Sequence, residues 1–293
     1  MTDEKNRVPR AAALHDLSCF GRCALTVIDP VLSAMGIQCV PVPTALLSTH
    51  TGGFSDMYFC ALDDAIRGIA DHFEKLGLRF DAVYTGFLGS AEQAGVIGEF
   101  IDRFGSDDGR GGTPLVLVDP VLGDDGELYH TITPALTDAM RRLCIRADVI
   151  TPNITEACLL SGMSYGDALA MSDSDPERLG RLRRAVVTGI RCDGGKSIAT
   201  ASYDAADGSF ALHKQERVGR DYPGTGDIFA SVLLGRLLCG SPLADAAASA
   251  SSFAARCAAA TLARGSGEPA RNGVALEPLL GSLSGGIPAG KNL

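Results

Sequence analysis

The sequence predicts an α/β fold: an open, mostly parallel central β-sheet with helices on both faces. Three observations carry that prediction. Apolar runs of strand length alternate repeatedly with segments of helical period. Two of the runs, 115–118 and 185–187, are continuously apolar and rich in valine, the pattern of strands buried on both faces. Polar segments bearing carboxylates and amides follow such runs, at the place where an open parallel sheet binds ligands.

Taken in order, residues 11–14 read as a weak first strand and 23–35 as a helix ended by Gly36. A strand follows at 38–42. Residues 57–76 carry Phe59, Leu62, Ile66, Ile69 and Phe73 at helical spacing and stop at Gly77, so they read as one helix. Residues 82–84 form a strand, 91–104 a helix, 115–118 a central strand, and 133–145 a helix. Then come a strand at 149–150, a helix at 155–160 and a central strand at 185–188. Residues 197–202 and 209–213 flank Asp207-Gly208 as a hairpin pair. A helix follows Gly226, and an alanine-rich helix spans 243–262, with Ser241 as its N-cap and Pro242 at its first position. Residues 105–113 read as a surface loop. The whole chain, 1–293, reads as one domain with a polar start (1–9) and a Gly-rich tail (282–293) that fray.

Composition excludes several function classes. The net charge of −9 argues against a nucleic-acid or anionic-membrane surface, although backbone N–H groups and a metal can hold a small phosphate even in an acidic protein. No apolar run reaches the ~20 residues of a membrane span, and the N-terminus lacks the apolar stretch of a signal peptide. Nine cysteines, an odd number without metal-ligand spacing, fit free thiols in a reducing compartment. A cytoplasmic protein is expected.

The segment Pro223-Gly224-Thr225-Gly226-Asp227 is a turn emptied of side chains that feeds an apolar helix. Unpaired N–H groups and partial positive charge at a helix N-terminus suit an anion, and Asp227 stands beside it as a general base. Phosphoryl transfer to an alcohol needs both. Read singly, Gly-Thr-Gly-Asp is also an ordinary turn, Asp119-Pro120 a strand-ending turn, Asn153 an Asx-turn, and Thr155-Glu156 a helix start. Together, Asp119, Asp124, Asn153, Glu156 and Thr188 fall just past candidate strands, toward one sheet edge with Asp227. Oxygen donors of this kind suit Mg²⁺ with phosphates.

These motifs, in this order, resemble the ribokinase superfamily, and within it the vitamin B6 kinases. The resemblance rests on Gly224-Thr225-Gly226-Asp227, Asp119-Pro120-Val121-Leu122-Gly123-Asp124 and Thr151-Pro152-Asn153-x-x-Glu156. Ser48-x-His50-Thr51-Gly52, the stretch from Tyr84 to Ser90, and the stretch from Arg271 to Leu280 are similar to further family segments, so about residues 12–281 are covered. The resemblance implies a ribokinase-like αβα sandwich, a homodimer, and ATP-dependent phosphorylation of the 5′-hydroxymethyl group of pyridoxal, pyridoxine or pyridoxamine. It implies Asp227 as the base, and the backbone of Gly224, Thr225 and Gly226 as the anion hole. It places Asp124, Asn153, Glu156, Thr188, Thr225 and Gly226 at ATP, and Asp119, Asp124, Thr151 and Glu156 at Mg²⁺ or a monovalent cation such as K⁺. Asp16, His50, Thr51 and Tyr84 would line the pyridine pocket, Tyr84 stacking on the ring. The sequence departs from the family at Thr49, where an asparagine is expected, and at Asp16, where a serine is expected. Ser18 is the nearest hydroxyl and is expected to face the other way. An acidic Asp16 favours a cationic ligand, which brings pyridoxamine level with pyridoxal. A hydroxymethylpyrimidine kinase is the alternative enzyme, and a non-catalytic vitamer- or nucleotide-binding protein the alternative class.

Overall fold

The computed structural model describes residues 7–106, 112–169, 184–204, 207–265 and 269–284. Its elements, in chain order, are β1 (Arg10–Phe20), α1 (Leu25–Ala34), β2 (Gln38–Thr49), β3 (Phe59–Ala61), α2 (Asp63–Lys75), β4 (Ala82–Thr85), α3 (Ala91–Phe104) and β5 (Leu115–Val118). The small hairpin β6 (Gly123–Asp124) and β7 (Glu127–Leu128) precedes α4 (Pro134–Ile145), β8 (Val149–Ile150), α5 (Ile154–Ser161) and the short α6 (Tyr165–Leu169). The chain continues through β9 (Ala185–Cys192), β10 (Ser197–Asp204), β11 (Ser209–Glu216), α7 (Thr225–Leu238) and α8 (Leu243–Ala263).

Nine strands join one sheet in the order β11-β10-β9-β8-β5-β4-β1-β2-β3. From β2 to β9 the pairing is parallel; β3 at one edge and β10–β11 at the other are antiparallel. Side chains alternate between two cores with the period of two that a pleated strand imposes. Ala11 and Ala13 of β1, with Tyr84 and Leu117, pack under α1, α7 and α8. Ala12 and Leu14, with Val83, Val116 and Val118, pack under α2, α3 and α4. The chain leaves β1 for β2 on one side and later returns to place β4 on the other. That reversal opens a crevice at the carboxyl ends of β1 and β4.

Several elements differ from expectation. Near the start of the expected helix 57–76, Phe59–Ala61 instead form β3, which pairs with Ala45, Leu46 and Leu47 of β2. The exposed backbone of that edge needs hydrogen-bond partners, and this need overrides a helical pattern that begins only at Asp63. Strand β2 runs seven residues past the expected 38–42 despite Pro41 and Pro43, which an edge segment tolerates. Helix α1 starts at Leu25, two residues late, because Ala24 takes a positive φ of 51°. Pro242, not Ser241, is the N-cap residue of α8; the Ser241 N–H instead closes α7 on Arg236 O. The tail does not fray at 282: Leu283 is buried in the core beneath α1 and α7. Nor does the start fray as far as residue 9, since Arg7 pairs with Asp81 at 2.6 Å. The rest of both termini, and 107–111 of the expected surface loop, lie outside the described residues. No helix among the described residues is long and apolar enough to cross a membrane.

Candidate active site

Three loops meet beneath the N-terminus of α7. The Arg22 N–H donates to Asn272 O at 3.1 Å, and the Val274 N–H donates to Pro223 O at 3.1 Å. Gly224 caps α7 with φ 86°, and any Cβ there would run into the Arg22 carbonyl oxygen, so this glycine answers to backbone packing. Gly226 faces open space. Neither its N–H nor that of Asp227 donates to backbone among the described residues, the condition for receiving an anion. The Thr225 hydroxyl donates to Tyr222 O at 2.9 Å.

Asp227 occupies the third position of α7, and its Oδ2 accepts the Ala24 N–H at 2.9 Å. Ala24 holds φ 51° and ψ −132°, a region that non-glycine residues rarely enter. The Cys23 thiol also lies against the Asp227 carboxylate. Burial raises the Asp227 carboxyl above its ordinary range, while these two donors oppose the rise. The turn from β1 into α1 therefore grips the candidate base.

On the far side of the crevice, Asp119 ends β5 and Thr151 follows β8, and the Thr151 hydroxyl donates to Asp119 Oδ1 at 2.7 Å. Burial, reinforced by the Asp227 charge, pushes Asp119 up to about 7. Asn153 and Glu156 form a reciprocal capping box at the start of α5. Glu156 Oε2 accepts the Asn153 N–H at 2.8 Å, and Oε1 accepts the Leu122 N–H at 3.0 Å. The Asn153 amide donates to Gly123 O at 2.7 Å. Burial drives the Glu156 carboxyl well up, with Asp119 adding to the shift and the N–H donors opposing it. The Thr188 N–H donates to Pro152 O at 2.9 Å, which ties β9 to the same loop. Asp124 lies exposed on the β6–β7 hairpin, its Oδ1 bonded to the Asp125 N–H at 2.9 Å. The expected metal set is thus not a protein cage: among the described residues no three His, Cys, Asp or Glu side chains converge as ligands. Both Glu156 oxygens already serve backbone donors.

On the side where the acceptor is expected, Asp16, at the register shift inside β1, and His50, just past β2, are buried. His50 Nδ1 accepts the Gly52 N–H at 3.1 Å and Nε2 contacts Arg271 O at 2.6 Å, so the ring clamps two loops together. Gly21, with φ 92°, leaves room for that ring, which a Cβ would strike. Thr51 is half-buried. Two expectations fail here. Tyr84 is fully enclosed, packed edge-on against His15 at 4.2 Å between centroids, so no face is open to stack on a substrate. Strand parity sends it inward under α7. Ser18 shares a face with Asp16 and donates to its Oδ2 at 2.8 Å rather than facing away.

Sequence reasoning missed Cys23 and Ala24, for which no sequence signal exists, because the grip depends on an unusual backbone angle. It also missed His15, a buried neutral imidazole driven down to about 3 by burial. Phe87, half-buried just past the end of β4, is the aromatic of its segment that the core does not enclose. Its position after Thr85-Gly86 was the available signal.

A family model described as phosphomethylpyrimidine kinase matches residues 25–271. The pyridoxine/pyridoxal/pyridoxamine kinase of Bordetella avium (strain 197N) is 32% identical over 252 residues, 83% of this chain and 82% of that protein. A crystal structure from Bacteroides thetaiotaomicron VPI-5482, described as a phosphomethylpyrimidine kinase and obtained with pyridoxal, superposes with a TM-score of 0.84 at 36% identity, covering 94% of this chain and 96% of that one. Pyridoxal kinase from Lactobacillus plantarum superposes with a TM-score of 0.83 at 32% identity, covering 94% and 97%.

Proposed function

The chain belongs to the phosphomethylpyrimidine kinase family of the ribokinase superfamily, and from that premise we propose that it transfers the γ-phosphoryl group of ATP to the 5′-hydroxymethyl group of a vitamin B6 vitamer. The single observation that carries the chemistry is the placement of Asp227. It stands at the third position of α7, bonded to the Ala24 N–H and adjacent to the open Gly226. Asp227 orients the alcohol and accepts its proton. The N–H groups of Gly226 and Asp227 receive the charge that develops on the transferred group. Gly224 sets the angle of that turn, and Thr225 closes it through Tyr222.

Asp119, Asp124 and Thr151 would hold Mg²⁺ through water and phosphate oxygens, and Glu156 and Asn153 would position the loop that carries them. The donor set fits. Mg²⁺ keeps much of its water shell and takes one or two carboxylates plus phosphates, so it needs no three-residue cage. Asp119 and Asp227 also repel one another without a cation between them. When bound, the ion would neutralise phosphate charge. Asp119 and Thr151 also suit K⁺. Thr188, beside Asn153, and Thr225 lie where nucleotide phosphates would run. Asp16, His50 and Thr51 border the acceptor; Tyr84 supports it from the core.

The reading includes one kinase domain, a homodimer, and a cytoplasmic location supported by an odd number of cysteines, nine, with no disulfide among the described residues. Sedimentation at micromolar concentration tests the dimer. The function is tested by ATP turnover with pyridoxal, pyridoxine, pyridoxamine and hydroxymethylpyrimidine side by side. Preferential phosphorylation of a vitamer is expected. Turnover confined to hydroxymethylpyrimidine would transfer the enzyme to the second reading, which the description of the matching family model favours. No vitamer-dependent turnover would leave a binding protein.

A further inference from the structure

Asp16 is an acidic side chain enclosed at the register shift inside β1, 7% exposed. Its only side-chain hydrogen bond among the described residues is the one from Ser18, to Oδ2. No lysine or arginine is seen to pair with it among the described residues, and the Asp227 carboxylate lies near enough for its charge to be felt. Cys23, the third group in range of both, is neutral. Two carboxylates thus lie within electrostatic range of each other in a poorly solvated space, and the basic side chain nearest Asp227, His50, has its Nδ1 occupied by the Gly52 N–H and its Nε2 by Arg271 O. Enclosing a charge without an opposite charge beside it is costly by desolvation, so such a residue is stabilised when a ligand supplies that charge. The protein meets Asp16 with the Ser18 hydroxyl and the residue's own backbone N–H, and supplies no opposite charge.

We propose that Asp16 is the counter-ion of a cationic acceptor, selecting the positively charged form of the heterocycle whose alcohol Asp227 deprotonates. The inference rests on the B6 reading above and deepens it. B6 vitamers offer two cationic groups: the ammonium carried at the 4′ carbon by pyridoxamine alone, and the ring nitrogen when protonated. Both present an N–H donor and a positive charge, which an ionised carboxylate prefers to a neutral group. A neutral alcohol or aldehyde gains nothing comparable.

The test compares kcat/KM of the wild type, Asp16→Asn and Ser18→Ala on pyridoxamine, pyridoxine and 1-deazapyridoxine, whose ring carries CH in place of nitrogen. Asparagine keeps the shape and still accepts the Ser18 hydroxyl. Asp16→Asn is expected to lose tenfold or more on pyridoxamine and less than threefold on the deaza analogue. Loss on pyridoxamine alone assigns the ammonium; loss on pyridoxine as well assigns the ring nitrogen. Ser18→Ala, which leaves the carboxylate in place, is expected to keep the wild-type order of substrates. Equal losses on all three substrates, or none on any, overturn the proposal. Should Asp16→Asn fail to fold, calorimetric binding to the wild type decides. Pyridoxamine or pyridoxine must bind at least tenfold more tightly than the deaza analogue, and equal affinity overturns the proposal. A wild type that phosphorylates pyridoxine and its deaza analogue equally well, and pyridoxamine no better, overturns this inference while the B6 reading stands. A wild type that phosphorylates no vitamer overturns both.

Discussion

At Asp227 two influences oppose each other: the N-terminus of α7 and the Ala24 N–H favour the ionised carboxylate, while burial favours the acid. A base poised in this way takes a proton without being fixed in either form. Asp227→Asn removes the proton acceptor but keeps an oxygen for the Ala24 N–H, so the fold and ATP binding are expected to survive. Turnover is expected to fall about a hundredfold or more, the usual cost of losing a general base. Near-normal kcat would remove Asp227 from the mechanism. Tyr84 makes the opposite case. Its ring is sealed in the core, and its hydroxyl lies beside Ser231 without a hydrogen bond of ordinary geometry among the described residues. Tyr84→Phe is therefore expected to leave KM for the vitamer within twofold and the melting temperature unchanged or higher, since an unpaired buried hydroxyl stabilises nothing. A large rise in KM would place that hydroxyl at the ligand.

Among the elements, α5 shows how a helix start becomes part of a site. Glu156 caps its own helix through Asn153 and also holds the Leu122 N–H, so the carboxylate fixes the loop bearing Asp119 and Asp124. Glu156→Gln turns one of those acceptors into an amide donor and leaves a buried N–H unmet. Denaturant titration is expected to show a loss of about 1–3 kcal/mol, accompanied by a rise in KM for ATP that exceeds any rise for the vitamer. Equal changes in both would make the residue a plain helix cap. Much at this scale was legible in the chain. Helix α3 lies at its expected bounds because Ser90 caps it through the Gln93 N–H and Gly105 ends it. The carboxylates past β5 and the glycine turn before α7 were legible because open parallel sheets deliver such residues to one edge. The strand at Phe59–Ala61 was not, because its apolar residues fit a helical period and only the edge of β2 decides otherwise. Nor were the occupied Glu156 oxygens or the inward Tyr84, which depend on contacts between segments far apart in the chain.

At the scale of the whole molecule, the buried carboxylates among the described residues outnumber their compensating charges, and the pH dependence of stability should show it. Asp16 is pushed up to about 6 and Asp119 to about 7, with Asp227 and Glu156 shifted in the same direction. Unfolded, these groups titrate near 4. Between about pH 4 and 7 the native state therefore binds more protons than the unfolded chain, and stability falls as pH rises. His15 opposes this, because its imidazole titrates at about 3 in the fold and near 6.5 when released, so it favours folding as pH rises through that window. One histidine against four carboxylates leaves the net sign with the acids. Above about pH 6.5 the histidine no longer contributes a slope, and the raised carboxylates alone set the sign. Calorimetric melts of the metal-free protein in chelator are expected to show a melting temperature several degrees higher at pH 5.5 than at pH 8.0. Mg²⁺ with ADP, supplied at a fixed saturating concentration, is expected to raise the melting temperature more at pH 8.0, where the carboxylates are ionised and the cation has most charge to neutralise. A melting temperature that climbs steadily from pH 5.5 to 8.0 without metal would mean that these carboxylates are compensated in the fold. The crevice would then have no electrostatic reason to gather cations at all.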